Sequence, residues 1–490
     1  MILDNNVYDM SENMIIEYAN KLADAIECNQ LLEEYNSGQL TYEYLIAMFL
    51  ATQAMENGDK LYNYCYDAVI ACGKRNIDFK LKQNEKIKVA FLPISAAEWP
   101  AEYIYRKLEE DTRFESVVIP VPLIGRPKKE RGKVYTQTYD FFANGNYNVK
   151  KVYDAETEEI IGWDDIGGMP DIVVHVTPWY LNIAKDYQVG QYPLHVLNVY
   201  ISYGVPLGNS IDGAYAEKCL YNKEFVNIMW KVYTETNTNY ECYKKYQVLK
   251  AKNVINSGYI KMDYFVEKHQ YSDDYIRKMW PFPSGSDIKS YKRVLITPHF
   301  SVGNTNILSF STFDKNMYFY IYLAKKYRDN VSFIFKPHPN LRNGLIENGY
   351  MKSVDEYETY LDEFRKLPNA SVCEEGDYLA LFDTSDGIIN DSISFIGEYL
   401  YVDKPMLFLE RPEQCFDELG MALVKAHYKA CGEDYMGIDN FVNDVVINGN
   451  DYMKQQREEI FSEELDYYSK NGIRASEYVY KDIVDGVFRL

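Results

Sequence analysis

Three short apolar runs between residues 293 and 410 each end in side chains that can do chemistry. The run 294–296 leads into Thr297, Pro298 and His299. The run 331–335 leads into Lys336, Pro337, His338 and Pro339. The run 387–389 leads into Asn390, Asp391 and Ser392. In a parallel α/β sheet, ligands bind beyond the carboxyl ends of the strands. Histidine, lysine, aspartate and serine at three such ends predict one site for an anion, of the kind that holds a nucleotide diphosphate.

Each end has its own logic. Prolines on both sides of His338 fix the backbone and project the imidazole from a rigid turn. A histidine beside a leaving phosphate can give it a proton or a hydrogen bond, and Lys336 can neutralise it as a point charge. In residues 391–401 (DSISFIGEYLY), Asp391 reads as a helix N-cap with Ser392 and Ser394 in the first turn. A helix start behind a buried strand offers free N–H groups and a positive dipole end. Glu398, one turn beyond Ser394, is placed to accept ribose hydroxyls. The loop ITPHFSVGNTN brings His299, Ser301 and Asn304 toward the same pocket, and Thr312 reads as a helix cap or a donor contact. No Asp-x-Asp triplet, P-loop, G-x-G-x-x-G or zinc-spaced His/Cys cluster occurs, so the sequence calls for no metal and no cofactor.

These ends need strands and helices to hold them. With 490 residues the chain is long enough for two or three domains. Its formal net charge is −21, from 73 acidic against 52 basic residues. That argues against a nucleic-acid binder, which needs clustered lysine and arginine. No run of 18 apolar residues predicts a transmembrane helix. The opening residues lack a signal peptide's pattern, and the eight cysteines are scattered. A reducing cytoplasm is the simplest setting.

Residues 1–84 read as a helical appendage. Ile15, Tyr18, Ala19, Leu22 and Ile26 keep helical spacing, Thr41 caps a second helix, and a third carries Leu61, Tyr64, Cys65, Ala68 and Val69 and ends near Gly73. Residues 85–250 read as a Rossmann-like domain. Strands are expected at 88–92, 117–121, 171–177, 195–203 and 225–233, and helices at 101–110, 214–221 and 239–249. The loop 93–100 puts Glu98 and Trp99 at a strand's carboxyl end. His175 reads as a satisfied core histidine. The cluster 126–133 (RPKKERGK) reads as a solvated loop, with a grip on an anionic acceptor or lipid head group as the rarer alternative. Residues 251–410 form a second Rossmann-like domain, and 411–490 a helical tail that packs back.

The series TPHFS…STF, FIFKPHPNL, LFDTSDGIINDSISFIGEYL and KPMLFL resembles the CDP-glycerol glycerophosphotransferase family. These are teichoic-acid primase- and polymerase-like enzymes of bacterial cell-wall and capsule synthesis. INSGYIKMD (255–263) is similar to that family's stretch between its two domains. The resemblance implies a GT-B fold, in which two Rossmann-like domains face a cleft and the donor nucleotide sits in the second. It also implies an inverting, metal-independent transfer with His338 beside the donor phosphates. The family's Asp-Tyr-Ser-Ser motif matches here at Asp391 and Ser394 but not at Ser392 and Ile393. Its polymerases carry a Trp-His-Gly stretch whose histidine is a base. The similar place here reads YISYGVP from Tyr200, without a histidine. Glu98 is the substitute candidate for the base, with Trp99 and Tyr203 positioning the acceptor.

The expected function is transfer of a glycerol-phosphate, other polyol-phosphate or sugar unit. The donor is nucleotide-activated, CDP-linked by preference, and the acceptor is a surface-polymer, glycan or lipid-linked hydroxyl. The expected place is the cytoplasm, with room for a peripheral contact at the inner membrane face and none for nucleic acid. Two rivals share the pattern: a nucleotide-sugar epimerase of the same fold, and a non-catalytic scaffold in a polymer-synthesis complex.

Overall fold

A computed structural model describes residues 41–53, 55–303, 308–374 and 378–489. The expected first helix over residues 15–26 and the loop residue Asn304 lie outside them. Two compact units emerge. The first takes residues 1–204, 217–261 and 471–490; the second takes 205–216 and 262–470.

In the first unit, helices α1 (Tyr42–Thr52) and α2 (Gly58–Lys82) precede a six-stranded, all-parallel sheet. Its strands are β1 (Ile87–Leu92), β2 (Phe114–Val118), β3 (Ile172–His175), β4 (Leu197–Ile201), β5 (Lys231–Thr234) and β6 (Val254–Asn256), in the order β2-β1-β3-β4-β5-β6. Every residue of β3, β4 and β5 is buried, as expected of parallel strands covered on both faces. Helices α3 (Glu102–Glu110), α4 (Lys128–Asn144) and α5 (Asn237–Tyr246) supply cover.

Helix α2 does not stop near Gly73. It runs nine residues further to Lys82 because Gly73 is a contact point: a Cβ there would stand 2.3 Å from Leu197 Cδ2. The missing side chain lets the helix lie against β4. Tyr42, Tyr62 and Tyr66 are buried, and their hydroxyls donate to the carbonyls of Val196, Asn227 and Met229. These helices are thus built into the first unit. The segment 225–233 is corrected too: residues Glu224–Asn227 make a helical turn, and only the end of the stretch enters β5. The basic cluster 126–133 is mostly helix, since α4 begins at Lys128.

The second unit repeats the plan. Strands β7 (Lys292–Thr297), β8 (Val331–Phe335), β9 (Ala370–Val372), β10 (Gly387–Asn390), β11 (Met406–Glu410) and β12 (Tyr428–Cys431) form a second parallel sheet, ordered β12-β11-β10-β7-β8-β9. Helices α6 (Phe313–Lys326), α7 (Leu341–Glu347), α8 (Val354–Arg365) and α9 (Leu379–Thr384) alternate with the strands. One face of this sheet packs Phe313, Tyr360, Phe364, Leu361 and Phe335 into a core. The region from 411 is mostly helical, but it also gives the sheet its edge strand β12, whose alternating burial marks an edge with one wet face. The last helix, α10 (Ala475–Phe488), belongs to the first unit, where Asp482 pairs with Lys231 and accepts from the Tyr233 hydroxyl.

Candidate functional site

In the second unit, β7, β8 and β10 lie side by side, so the three sequence motifs meet at one end of the sheet. The loops after β7 and β8 are tied directly, because the His338 backbone N–H donates to the Pro298 carbonyl at 3.1 Å. The rings of His299 and His338 stand 5.4 Å apart, and Phe300 packs 4.7 Å from His338.

Asp391 does not act as a helix N-cap. The helical turn after β10 is Phe395–Glu398, too far on for that role. The carboxylate, 1% exposed, instead reaches sideways to two other loops. Oδ1 accepts the His299 backbone N–H at 2.6 Å. Oδ2 accepts the Thr312 N–H at 2.6 Å and the Thr312 hydroxyl at 2.9 Å. Burial raises the carboxyl from 3.8 to about 6, and these donors work against the rise. Thr312 is thereby spent on Asp391.

Ser301 serves His299. Its hydroxyl lies 2.7 Å from His299 Nδ1, and its backbone N–H also points at that nitrogen, at 3.3 Å. An Nδ1 that accepts an N–H must carry its proton on Nε2 when neutral. Burial, followed by the charge of His338, holds His299 well below its ordinary range, so it is neutral. His338 Nδ1 likewise accepts the Asn340 N–H at 3.1 Å. Both imidazoles therefore present Nε2–H as a donor. Lys336 is 9% exposed, with its ammonium 5.7 Å from the centre of the Tyr378 ring.

The remaining residues expected here are placed differently from one another. Ser392 is buried, with its N–H on Asn390 Oδ1. Ser394 is exposed, at the start of the short turn, and makes no side-chain cap. Glu398 is buried and accepts the Tyr378 hydroxyl. Asn390, at the end of its run, accepts the Thr297 hydroxyl at 2.7 Å. Two contributors escaped the sequence reading: Tyr378 bridges toward Lys336 and Glu398, and Arg411 Nη1 holds the Ser311 and Gly303 carbonyls.

In the first unit, Ser95 caps the turn Ala96–Glu98 that follows β1. Glu98 Oε2 is buried, with no hydrogen-bond partner among the described residues. Burial lifts this carboxyl to about 6, opposed by the charges of Lys261 and Arg126. Lys261, which sequence reasoning did not single out although it lies in INSGYIKMD, donates to the Ala97 carbonyl at 3.2 Å. Trp99 packs edge-on against Phe91 and Phe142 and donates to Glu102, so packing and a helix contact claim its ring. Tyr203 meets the Trp179 indole N–H at its hydroxyl and the Tyr259 hydroxyl at its carbonyl. His175 is a buried core residue on Asn198, held down to about 4 by burial. Among the described residues, no three His, Cys, Asp or Glu side chains gather as a metal site, and no helix is long and apolar enough to cross a membrane.

Two units, each a parallel six-stranded sheet covered by helices, define a fold of the GT-B class. The chain belongs to the CDP-glycerol:poly(glycerophosphate) glycerophosphotransferase family, whose model matches residues 207–484. A search of curated proteins found no match. Among solved structures, the wall teichoic acid polymerase TagF, soaked with CDPG, is similar at a TM-score of 0.50 and 12% identity, covering 98% of each chain. Another TagF structure also scores 0.50, at 15% identity over 85% of this chain and 93% of that one. UDP-GlcNAc 2-epimerase from Neisseria meningitidis scores 0.48 at 15% identity, covering 83% and 100%. At these identities the likeness is one of fold.

Proposed function

We propose that this chain transfers a glycerol-phosphate unit, or a related polyol-phosphate or sugar unit, from a CDP-linked donor to a hydroxyl on a surface-polymer or lipid-linked acceptor. The observation that carries the reading is the paired Nε2–H donors of His299 and His338 beside the buried Lys336. Two imidazole donors and one cation suit the oxygens of a leaving nucleotide, on which negative charge grows in the transition state. Asp391 acts through His299 and Thr312 and is a positioning residue. Ser392, Ser394 and Glu398 are the further donor-binding candidates, with Glu398 the residue for a ribose hydroxyl.

On the acceptor side, Glu98 takes the proton of the attacking hydroxyl. A carboxyl raised to about 6 is ionised at neutral pH yet more basic than an ordinary glutamate. Tyr203 is the acceptor-positioning candidate. The transfer needs no metal in this reading, because Lys336 and the imidazoles supply the positive charge and the hydrogen bonds; turnover unchanged by EDTA is the expected result. The site of action is the cytoplasmic face of the membrane, where a lipid-linked acceptor is presented.

A thermal-shift panel with CDP, UDP, GDP and CMP tests the donor. A ligand that binds only the native state raises the melting temperature. CDP should raise it most, and His338→Ala should abolish the shift without lowering the unliganded melting temperature. A response to UDP alone would move the function to sugar transfer or epimerisation. No response to any nucleotide would overturn the enzyme reading in favour of a scaffold.

A further inference from the structure

The chain that leaves β6, the last strand of the first unit, turns back across the ends of the sheet. Its ties fall in turn on the ends of β5, β4 and β1. The Ser257 N–H donates to the Thr234 carbonyl at the end of β5, at 3.0 Å. The Tyr259 hydroxyl donates to the Tyr203 carbonyl beyond β4, also at 3.0 Å. The Lys261 ammonium donates to the Ala97 carbonyl beyond β1, at 3.2 Å. Ser257 and Tyr259 are buried. Gly258 between them has a φ of 84°, a left-handed conformation that glycine adopts without strain.

The length of the last tie follows from the sheet. β1 and β6 stand four strand spacings apart, about 19 Å. The chain from Asn256 to Lys261 spans about 17 Å at full stretch. A long side chain must close the gap, and Lys261 supplies it. Its bond lands one residue before Glu98. On the other side of Ala97, the Ser95 hydroxyl accepts the Ala97 N–H, and the Ser95 carbonyl accepts the Glu98 N–H, both at 3.2 Å. The turn is thus fixed through its main chain, while Glu98 Oε2 stays buried with no hydrogen-bond partner among the described residues. Two cations bear on this carboxyl, Lys261 and Arg126, and Arg126 is paired with Glu130.

We propose that residues 257–261 are a strap, anchored on Thr234 and Tyr203, and that Lys261 is a positioning residue whose ammonium holds the Ala96–Glu98 turn and acts as counter-charge to the Glu98 carboxylate. This rests on Glu98 as the base of the transferase reading above. An opposite charge favours an ionised carboxyl. The strap therefore keeps Glu98 unprotonated at a pH where burial alone would protonate more of it, and it does so without occupying the buried oxygen.

The test titrates Glu98 itself. The infrared difference between wild type and Glu98→Gln across pH isolates its carboxyl band. The same difference is taken in backgrounds of Lys261→Met, Lys261→Gln, Lys261→Arg and Tyr259→Phe. Met and Gln remove the charge and should move the midpoint up from about 6 by about one pH unit; arginine should restore it. Tyr259→Phe keeps the charge, cuts the anchor on Tyr203, and should move the midpoint the same way by less. In release of CDP from CDP-glycerol, Lys261→Met should lose about fivefold at pH 6 for that shift and least above about pH 8; a merely structural loss would be equal at every pH. A midpoint unmoved in Lys261→Met and Lys261→Gln, or not restored by arginine, overturns the role of Lys261. A midpoint unmoved in Tyr259→Phe alone overturns the strap. If Glu98→Gln releases CDP as wild type does, the base reading fails, and a midpoint that follows Lys261 still leaves the positioning standing.

Discussion

The strand ends of the two units are built on opposite plans. In the second unit almost every polar group is committed. Asp391 holds His299 and Thr312, Ser301 holds His299, and Arg411 holds Ser311. In the first unit, in the turn after β1, Glu98 keeps a buried oxygen with no hydrogen-bond partner among the described residues. The difference teaches which side must be preorganised. A small donor is gripped best by groups fixed in advance, because little reorganisation is then needed as charge develops.

The comparison is broken most severely at Asp391. Asp391→Ala leaves the His299 N–H, the Thr312 N–H and the Thr312 hydroxyl without their acceptor in a buried site. At about 1–3 kcal/mol each when unsatisfied, the loss of stability should be on the order of 3 kcal/mol or more in urea unfolding, with the CDP shift abolished. Loss of the CDP shift without loss of stability would instead make Asp391 a direct ligand. Asp391→Asn sharpens the same point through pH. The folded carboxyl titrates near 6 against 3.8 ordinarily, so the folded state holds its proton more firmly. Its favourable contribution is full below the ordinary value and is lost as pH rises toward 6. The asparagine variant should therefore show a shallower fall in unfolding free energy across that window.

In the first unit the effect should be on rate alone. Glu98→Gln should slow transfer by about 10²–10⁴-fold while leaving the CDP shift and the melting temperature near wild type. The wild-type rate should rise with pH through about 6 as the carboxyl ionises, and the variant should lose that limb. A retained limb would move the base elsewhere. Ser301→Ala is the mildest change. It removes one contact to His299 Nδ1 and the acceptor for the Phe310 N–H. A cost of about 1–2 kcal/mol in stability and at most about tenfold in CDP affinity is expected from denaturation and titration.

The sequence carried the architecture well where strands are buried on both faces. Runs such as 331–335 and 387–389 are largely apolar stretches that form fully buried strands, and the polar residues after them meet at one end of the sheet. It carried less where one local pattern serves two purposes. An aspartate followed by two serines has the grammar of a helix cap, and nothing local shows that its carboxylate reaches residues 79 and 92 positions away. Gly73 looks like a helix end for the same reason: a glycine that breaks a helix and one that admits a neighbouring strand have the same letter. The cluster after Pro127 was legible in retrospect, since lysine, glutamate and arginine are good helix formers and Arg126 and Glu130 have i, i+4 spacing.

Asp391 grips its loops mainly by their main chains. The groups it takes from residues 299 and 312 are amide hydrogens that nearly any amino acid would supply. A clasp that ignores side-chain identity frees the loop surfaces to change. A substitution at Phe300, which packs against His338, can reshape the loop surface while the clasp keeps the His299 backbone in place. The same device gives an engineer a fixed point: the loops around Asp391 can be rewritten without touching the frame that holds them.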